Sequence, residues 1–486
     1  MTPLNRRGFA AVAALKPGIV KNAAGDTIWD NDAYAFLKGS APRTTNANLW
    51  RMSQLTRKQG LFKVTDRIHQ VRGLDLSNMT IVEGDTGIIV IDPLISAETA
   101  AAALELYRDH VADKEVTGLI YTHPHVDHYG GRRGVLPNGA GDVPIIAPEG
   151  FMEHAVSENV YAGTAMTRRS LYMYGAQLPK GPPTHVGCGL GQNISTGTIG
   201  LYGGQVDVAF ASHHWPTWGN EEIVELLEAR RDLYAYMHDQ TLRILDSGLT
   251  AREIAEEFQL PPALVEVWAN RGYYGSISND VKGIYQRYMG WFDGNPAHLW
   301  EHPPVAEAKR YVKALGGPES ALPKARVFVR DGDLRFAATL LNHCVFAEPD
   351  QRKPKELLAQ VHEKLAYATE NAVWRNFCLT GAMELREGVK APSSTSDSSD
   401  VKAALSVDQL IDAMSVRVDG PKAWDLDLAV AQPLRRADAH HEQGAVVAAV
   451  GREGVGAIRV SGDVTLLTTL FSVIVTPAAD FPIVTP

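Results

Sequence analysis

The first half of the chain places apolar residues in short dense runs, and the second half spaces them at helical intervals. Between Asn78 and Pro93, two β-branched runs flank Gly84-Asp85 and predict a pair of strands joined by a turn. A helical period over Ala97 to His110 follows, and then the apolar stretch Gly118-Leu119-Ile120-Tyr121. From about Thr27 to Gly204 such pieces alternate, as they do in a layered α/β domain. Phe210-Ala211-Ser212-His213 reads as a further apolar strand that ends in histidine. After His238 the character changes. Thr250-Ala251-Arg252-Glu253 has the form of a capping box, and Ile254, Phe258 and Leu260 predict the face of the helix it opens. Further helices are predicted over Val305 to Leu315, Asp333 to Phe346 and Lys355 to Arg375. Pro392 to Asp400 is small, polar and aperiodic, which marks a linker before a last domain.

Length and composition bound what this pattern can mean. At 486 residues the chain exceeds one ordinary core and predicts two or three domains. An apolar content of 45% and a charged content of 21% are those of a globular protein, and no apolar run approaches the ~18 residues a membrane span requires. The net charge of −9 argues against a nucleic-acid-binding surface, so an anionic ligand must be met by local cations. Three scattered cysteines, Cys188, Cys344 and Cys378, make neither a disulfide framework nor a thiolate metal site. Arg6-Arg7-Gly8-Phe9 faintly imitates a twin-arginine export signal, but Lys16-Pro17 interrupts the following apolar run early; the expectation is a cytoplasmic chain.

The densest chemistry follows the stretch that ends at Tyr121. His123, His125, Asp127 and His128 place three imidazoles and a carboxylate within six positions. Neighbouring side chains leave an extended or turning backbone in different directions, so one short segment can serve two adjacent cations. Mixed nitrogen and oxygen donors suit zinc, and also manganese or iron.

With these residues in view, the chain resembles the metallo-β-lactamase fold. The strand pair before the motif, the run Ser212-His213-His214-Trp215-Pro216, Arg231-Asp232-Leu233-Tyr234 and His238-Asp239-Gln240-Thr241 narrow the likeness to the linear alkylsulfatases. That resemblance implies an αββα metallo-β-lactamase sandwich, an all-α dimerisation domain and an α+β sterol-carrier-like domain. They are expected at 1–235, 236–390 and 401–486, with a linker at 391–400. It implies hydrolysis of alkyl sulfate esters to alcohol and sulfate by a homodimer holding two zinc ions per chain. His123 and His125 are expected to hold one ion, and Asp127, His128 and His213 the other, His213 being preferred to His214 because it follows the small residue Ser212. Arg231 matches the family's sulfate-contacting arginine, whose planar fork grips two oxygens at once. Val407 to Val418 and Asp480 to Pro486 resemble the two ends of the sterol-carrier-like domain.

The chain also departs from the family. Between its Ser-Thr-Gly-Thr-Ile-Gly run and its Ser-His-His-Trp-Pro run, the family carries acidic ligands, a sulfate-binding asparagine and a histidine acid. Here Ser195 to Tyr202 leads directly into Gly203 to Phe210, so the domain is shortened between about 202 and 204. One metal is therefore expected to be weak or lost and the activity impaired. Glu149, Glu153, His154, Glu158, His185 and Asp207 match no family ligand and read as surface or structural residues. Two other readings stand beside the enzyme: a catalytically silent relative that binds lipids or amphiphiles, and a hydrolase of another ester on the same fold.

Overall fold

The computed structural model describes residues 11–199, 220–391, 405, 407–426, 430–431, 446–449, 459–461, 464–475 and 480–486. A hairpin of β1 (Ile19–Lys21) and β2 (Thr27–Asp30) precedes α1 (Ala47–Thr56), which Asn46 caps by accepting from the amides of Asn48 and Leu49. Six strands then form one sheet in chain order: β3 (Gly60–Lys63), β4 (Ile68–Arg72), β5 (Met79–Glu83), β6 (Ile88–Ile91), β7 (Val116–Ile120) and β8 (Ile145–Ile146). From β3 to β6 the pairing is antiparallel, and the expected turn at Gly84 closes with its amide on the Gly87 carbonyl. From β6 onward it is parallel, which demands a crossover. That crossover is α2 (Ala97–His110), capped by Ser96 and burying Ala100, Ala103, Leu104 and Tyr107 at helical spacing.

Parallel pairing puts the carboxyl ends of β6 and β7 side by side. Asp92 thus leaves β6 beside Thr122, just beyond β7, although 30 residues separate them. After the His/Asp run come α3 (Arg132–Val135), α4 (Phe151–Val156) and α5 (Gly163–Tyr174). Gly131 lets this return pass close to α2, because a Cβ there would collide with the Pro93 carbonyl. The mixed α/β domain is the expected class. The strand predicted to end at His213 lies outside the described residues.

Nine helices are described over residues 220–387: α6 (Asn220–Leu245), α7 (Ala251–Glu257), α8 (Pro262–Val265), α9 (Ile277–Met289), α10 (Pro304–Ala314), α11 (Pro318–Asp331), α12 (Leu334–Ala347), α13 (Arg352–Ala368) and α14 (Ala372–Glu387). Thr250 and Glu253 form the expected capping box at α7, but this helix ends at Glu257 and Leu260 lies beyond it. α6 runs unbroken through residues 235 and 236. The single helix predicted from Lys355 to Arg375 is two. Thr369 turns extended, and Asn371 then starts α14 by accepting from the Trp374 amide, a local bond that competes with continuing the helix. Leu341, Val345, Leu358, Val361 and Ala382 build the core of this region. Among the described residues, no helix is long and apolar enough to cross a membrane.

The chain divides into two compact units, residues 1–404 with 479–486, and residues 405–478. The smaller unit holds helix α15 (Val407–Ser415), a short α16 (Gly420–Ala423), strands β9 (Val430–Ala431), β10 (Val446–Ala449) and β11 (Arg459–Ser461), and α17 (Val464–Ser472). β10 lies between the other two strands, antiparallel to β11 and parallel to β9. Residues 480–486 belong to the larger unit. There Arg168 donates to the Phe481 carbonyl at 2.7 Å, and the Ile483 amide donates to Glu384 at 3.0 Å. Arg168 and Glu384 form a buried ion pair, and the Tyr172 hydroxyl donates to the same carboxylate.

Candidate metal centre

Asp92 stands at the end of β6 with φ at 55°, a left-handed conformation that costs a non-glycine residue on the order of 1–3 kcal/mol. The strain aims its carboxylate across the sheet end. Oδ1 accepts from the Thr122 amide at 2.9 Å, and Oδ2 accepts from the Thr122 hydroxyl at 2.8 Å and from Nδ1 of His128 at 3.0 Å. Because the Thr122 hydroxyl spends its proton on Asp92, it can only accept from Nδ1 of His123, 2.9 Å away. His128 therefore carries a proton on Nδ1 toward Asp92 and His123 one on Nδ1 toward Thr122, so both rings turn Nε2 away from this network. A carboxylate behind an imidazole is the arrangement that orients metal-ligating histidines.

Val126 to His128 form a short 3-10 turn whose closing bond runs from the His128 amide to the His125 carbonyl, at 3.0 Å. Ser77 fixes this turn by donating its hydroxyl to the Asp127 carbonyl. The rings of His123 and His128 lie 4.0 Å apart between centroids, and those of His123 and His125 4.8 Å apart. Asp127 and His128 are buried, with Asp127 Oδ2 3.0 Å from His128 Nε2. Burial opposes a charge on His128, but the carboxylates of Asp127 and Asp92 outweigh it and push the imidazole up to about 10. His123 moves the other way, to about 4, through burial and the positive charges of His128 and His125. It is thus a neutral imidazole at ordinary pH.

The structure therefore gathers His123, His125, Asp127 and His128 in one place. His213 lies outside the described residues. Arg231 is exposed on α6 and forks onto Asp232 at 2.8 and 2.7 Å. Three neighbours of the cluster, Asp92, Thr122 and Glu158, were not among the expected site residues. Asp92 and Thr122 were visible only as strand-end residues, since their roles depend on the parallel β6–β7 pairing. Glu158, read as surface or structural, brings its carboxylate within 3.9 Å of Nε2 of His125, and burial raises that carboxyl. It does so from a widened helical turn, Ser157–Tyr161, closed by the Ala162 amide on the Ser157 carbonyl; such turns recur at functional sites. His185 is structural as expected: it is buried, and its two ring nitrogens are engaged by Tyr34 and the Tyr174 carbonyl.

The donor set of imidazole nitrogens and carboxylate oxygens fits a divalent cation of the zinc, manganese or iron type. Among the described residues, no three His, Cys, Asp or Glu side chains stand ready around one point. His128 Nε2 faces Asp127 instead. A cation must replace the proton between them, because an imidazole ligand is neutral.

A sheet whose parallel strand ends present a His-x-His-x-Asp-His turn defines a metallo-β-lactamase-type metal site, and residues 72–238 match the family model for the metallo-beta-lactamase superfamily. Residues 250–388 match the model for alkyl sulfatase dimerisation, and 395–441 that for the alkyl sulfatase C-terminal region. A linear primary-alkylsulfatase of Pseudomonas sp is 42% identical over 510 residues, covering 87% of this chain and 75% of that protein. The alkyl/aryl-sulfatase BDS1 of Saccharomyces cerevisiae is 39% identical over 485 residues, covering 82% and 75%. The solved structure of the stereoselective inverting sec-alkylsulfatase Pisa1 from Pseudomonas sp superposes with a TM-score of 0.90 at 33% identity, covering 99% of this chain and 94% of that one. The chain belongs to the alkylsulfatase family of the metallo-β-lactamase superfamily.

The alignments are also longer than the stretch of this chain they cover. Eighty-seven per cent of 486 residues is about 423, against 510 aligned positions, so about 87 positions of the Pseudomonas sp relative have no counterpart here. The yeast relative gives nearly the same figure, about 86, from 82% of the chain and 485 positions.

Proposed function

We propose that this chain hydrolyses alkyl sulfate esters, consuming one water and releasing alcohol and hydrogen sulfate, with zinc held by His123, His125, Asp127, His128 and His213. The observation that carries the reading is the Asp92 network, which turns Nε2 of both His123 and His128 away from their shared anchor. When bound, the metal supplies Lewis acidity for activating water and polarising the ester oxygens. Asp92 holds the two rings in one tautomer, and Thr122 relays that constraint to His123. Asp127 holds the proton on His128 until a cation takes its place. Arg231 of α6 meets the sulfate.

Positions missing relative to the kin weaken this machinery, since proton delivery alone typically carries ~10²–10⁴-fold in rate. Zinc in one site is accordingly tight and in the other weak or lost. The helical region pairs two chains as a homodimer, a reading supported by the dimerisation model matched at 250–388. The C-terminal region, read as sterol-carrier-like, gathers alkyl chains, and the cytoplasm is the proposed location. The silent lipid-binding reading and the other-ester reading draw no support from relatives named as alkylsulfatases. Incubating the zinc-loaded chain with dodecyl sulfate and measuring released sulfate tests the reading; none released, with metal content verified, rejects it.

A further inference from the structure

Glu158 reaches the metal cluster from outside the His/Asp run. Its carboxylate stands 3.9 Å from Nε2 of His125 and lies in the field of both His125 and Asp127. That separation is too long for a hydrogen bond. Two donors on one tetrahedral zinc stand about 3.4 Å apart, given metal–donor lengths of about 2.0–2.2 Å, so a shift of about half an ångström lets one ion take both. The side chains of His125 and Glu158 are 61% and 30% exposed, so an ion reaches the gap without opening the core.

The turn that carries Glu158 is clamped to the turn that carries the histidines. Buried Asn159 donates its side-chain amide to the Ala155 carbonyl at 2.9 Å and to the Tyr129 hydroxyl at 3.1 Å. Tyr129 follows His128 directly, and its ring packs against those of Tyr121 and Phe151, 6.1 and 5.4 Å away between centroids. Phe151 in turn opens α4, which leads into the Ser157–Tyr161 turn. Glu158 is therefore held by packing on a short path back to His128, and a donor supported in this way keeps its place when no ion is bound.

Of the five ligands named above, His123 and His125 serve one ion by themselves, whereas a zinc site ordinarily presents at least three protein donors. We propose that Glu158 is the third donor to that ion, and that it keeps the weaker zinc site of this shortened chain occupied rather than lost. The ion rests on the zinc reading; the ligand comes from the structure. Asp127 is the carboxylate closer in sequence, but its Oδ2 lies 3.0 Å from Nε2 of His128 and is committed there. A carboxylate also offsets half the charge of a divalent ion, which two neutral imidazoles leave untouched. Among the described residues no three donors already surround one point, so the ion itself draws His125 and Glu158 together, and the site is weak for that reason.

The test uses the full chain, stripped of metal and titrated with zinc against a chromophoric chelator, with no substrate present. Two steps are expected, one tight and one weaker. Glu158→Gln keeps the size and loses the anionic donor; it should weaken the second step by more than the ~10–100-fold that removing a supporting partner costs, and leave the first step in place. Glu158→His supplies another ligand of about the same reach and should retain the second step. Glu153→Gln, which removes an exposed carboxylate of α4, should change neither. An unchanged second step in Glu158→Gln overturns the proposal, as does loss of that step in Glu158→Gln and Glu158→His alike, or a single step in the parent chain. A parent chain that takes up no zinc overturns the zinc reading together with it. The expected pattern in a chain that releases no sulfate from dodecyl sulfate upholds Glu158 and counts against the hydrolysis reading alone.

Discussion

The carboxylate of Asp92 lies 3.0 Å from Nδ1 of His128, with both side chains buried. Through Thr122 the same carboxylate also fixes His123. Removing this anchor should loosen two metal ligands together. Asp92→Asn is expected to lower zinc affinity about 10- to 100-fold, and Thr122→Val to lower it less, since only His123 loses its orientation. Competition with a chromophoric chelator reads both; equal affinities for the three proteins would show that Asp92 serves folding alone.

Stability of the metal-free chain should depend on pH through His128. Its folded imidazole titrates at about 10, above the ordinary 6.5, so the protonated form is the one folding favours. That contribution is fully present below about 6.5 and is lost as pH rises through about 10. Melting temperatures of the metal-free chain should fall over that window, and the fall should shrink in His128→Gln. Zinc affinity should rise over the same range, because the proton on His128 must leave.

The tail of the chain staples α5 to α14. Breaking the buried Arg168–Glu384 pair leaves a charge without a partner and also releases the Ile483 amide and the Tyr172 hydroxyl. Glu384→Ala is expected to cost about 3–5 kcal/mol in denaturant unfolding, with zinc stoichiometry unchanged in the folded protein. A cost within about 0.5 kcal/mol would place the tail among the dispensable surface segments.

Asn371 makes three donor contacts to one loop, all to backbone carbonyls. Asn371→Ala should cost about 1–3 kcal/mol in denaturant unfolding, because the Gly272–Gly275 loop is no longer held. A cost within about 0.5 kcal/mol would show that the loop keeps its place without Asn371.

What the sequence made legible is what depends on near neighbours. The strand pair around Gly84, the capping box at Thr250 and the His/Asp run at 123–128 are all local patterns, and each is where it was expected. The helix boundary at Thr369–Asn371 escaped because the apolar period runs on across it, and only the side-chain cap of Asn371 interrupts the backbone. Asp92 and Thr122 escaped for a different reason: their bond spans 30 residues and exists only once β6 and β7 pair in parallel. Glu158 requires a widened turn that no spacing announces.

The proposed zinc dependence of sulfate release rests on the cluster that Asp92 orients. Sulfate release from dodecyl sulfate, followed in the zinc-loaded chain, after chelator stripping and after zinc is returned, tests it most directly. The account predicts release with zinc, loss on stripping and recovery on re-addition, all at a rate ~10²–10⁴-fold below that of a chain into which the relatives' additional segment has been grafted. Equal release before and after stripping, or no release from a chain shown to hold zinc, would contradict it.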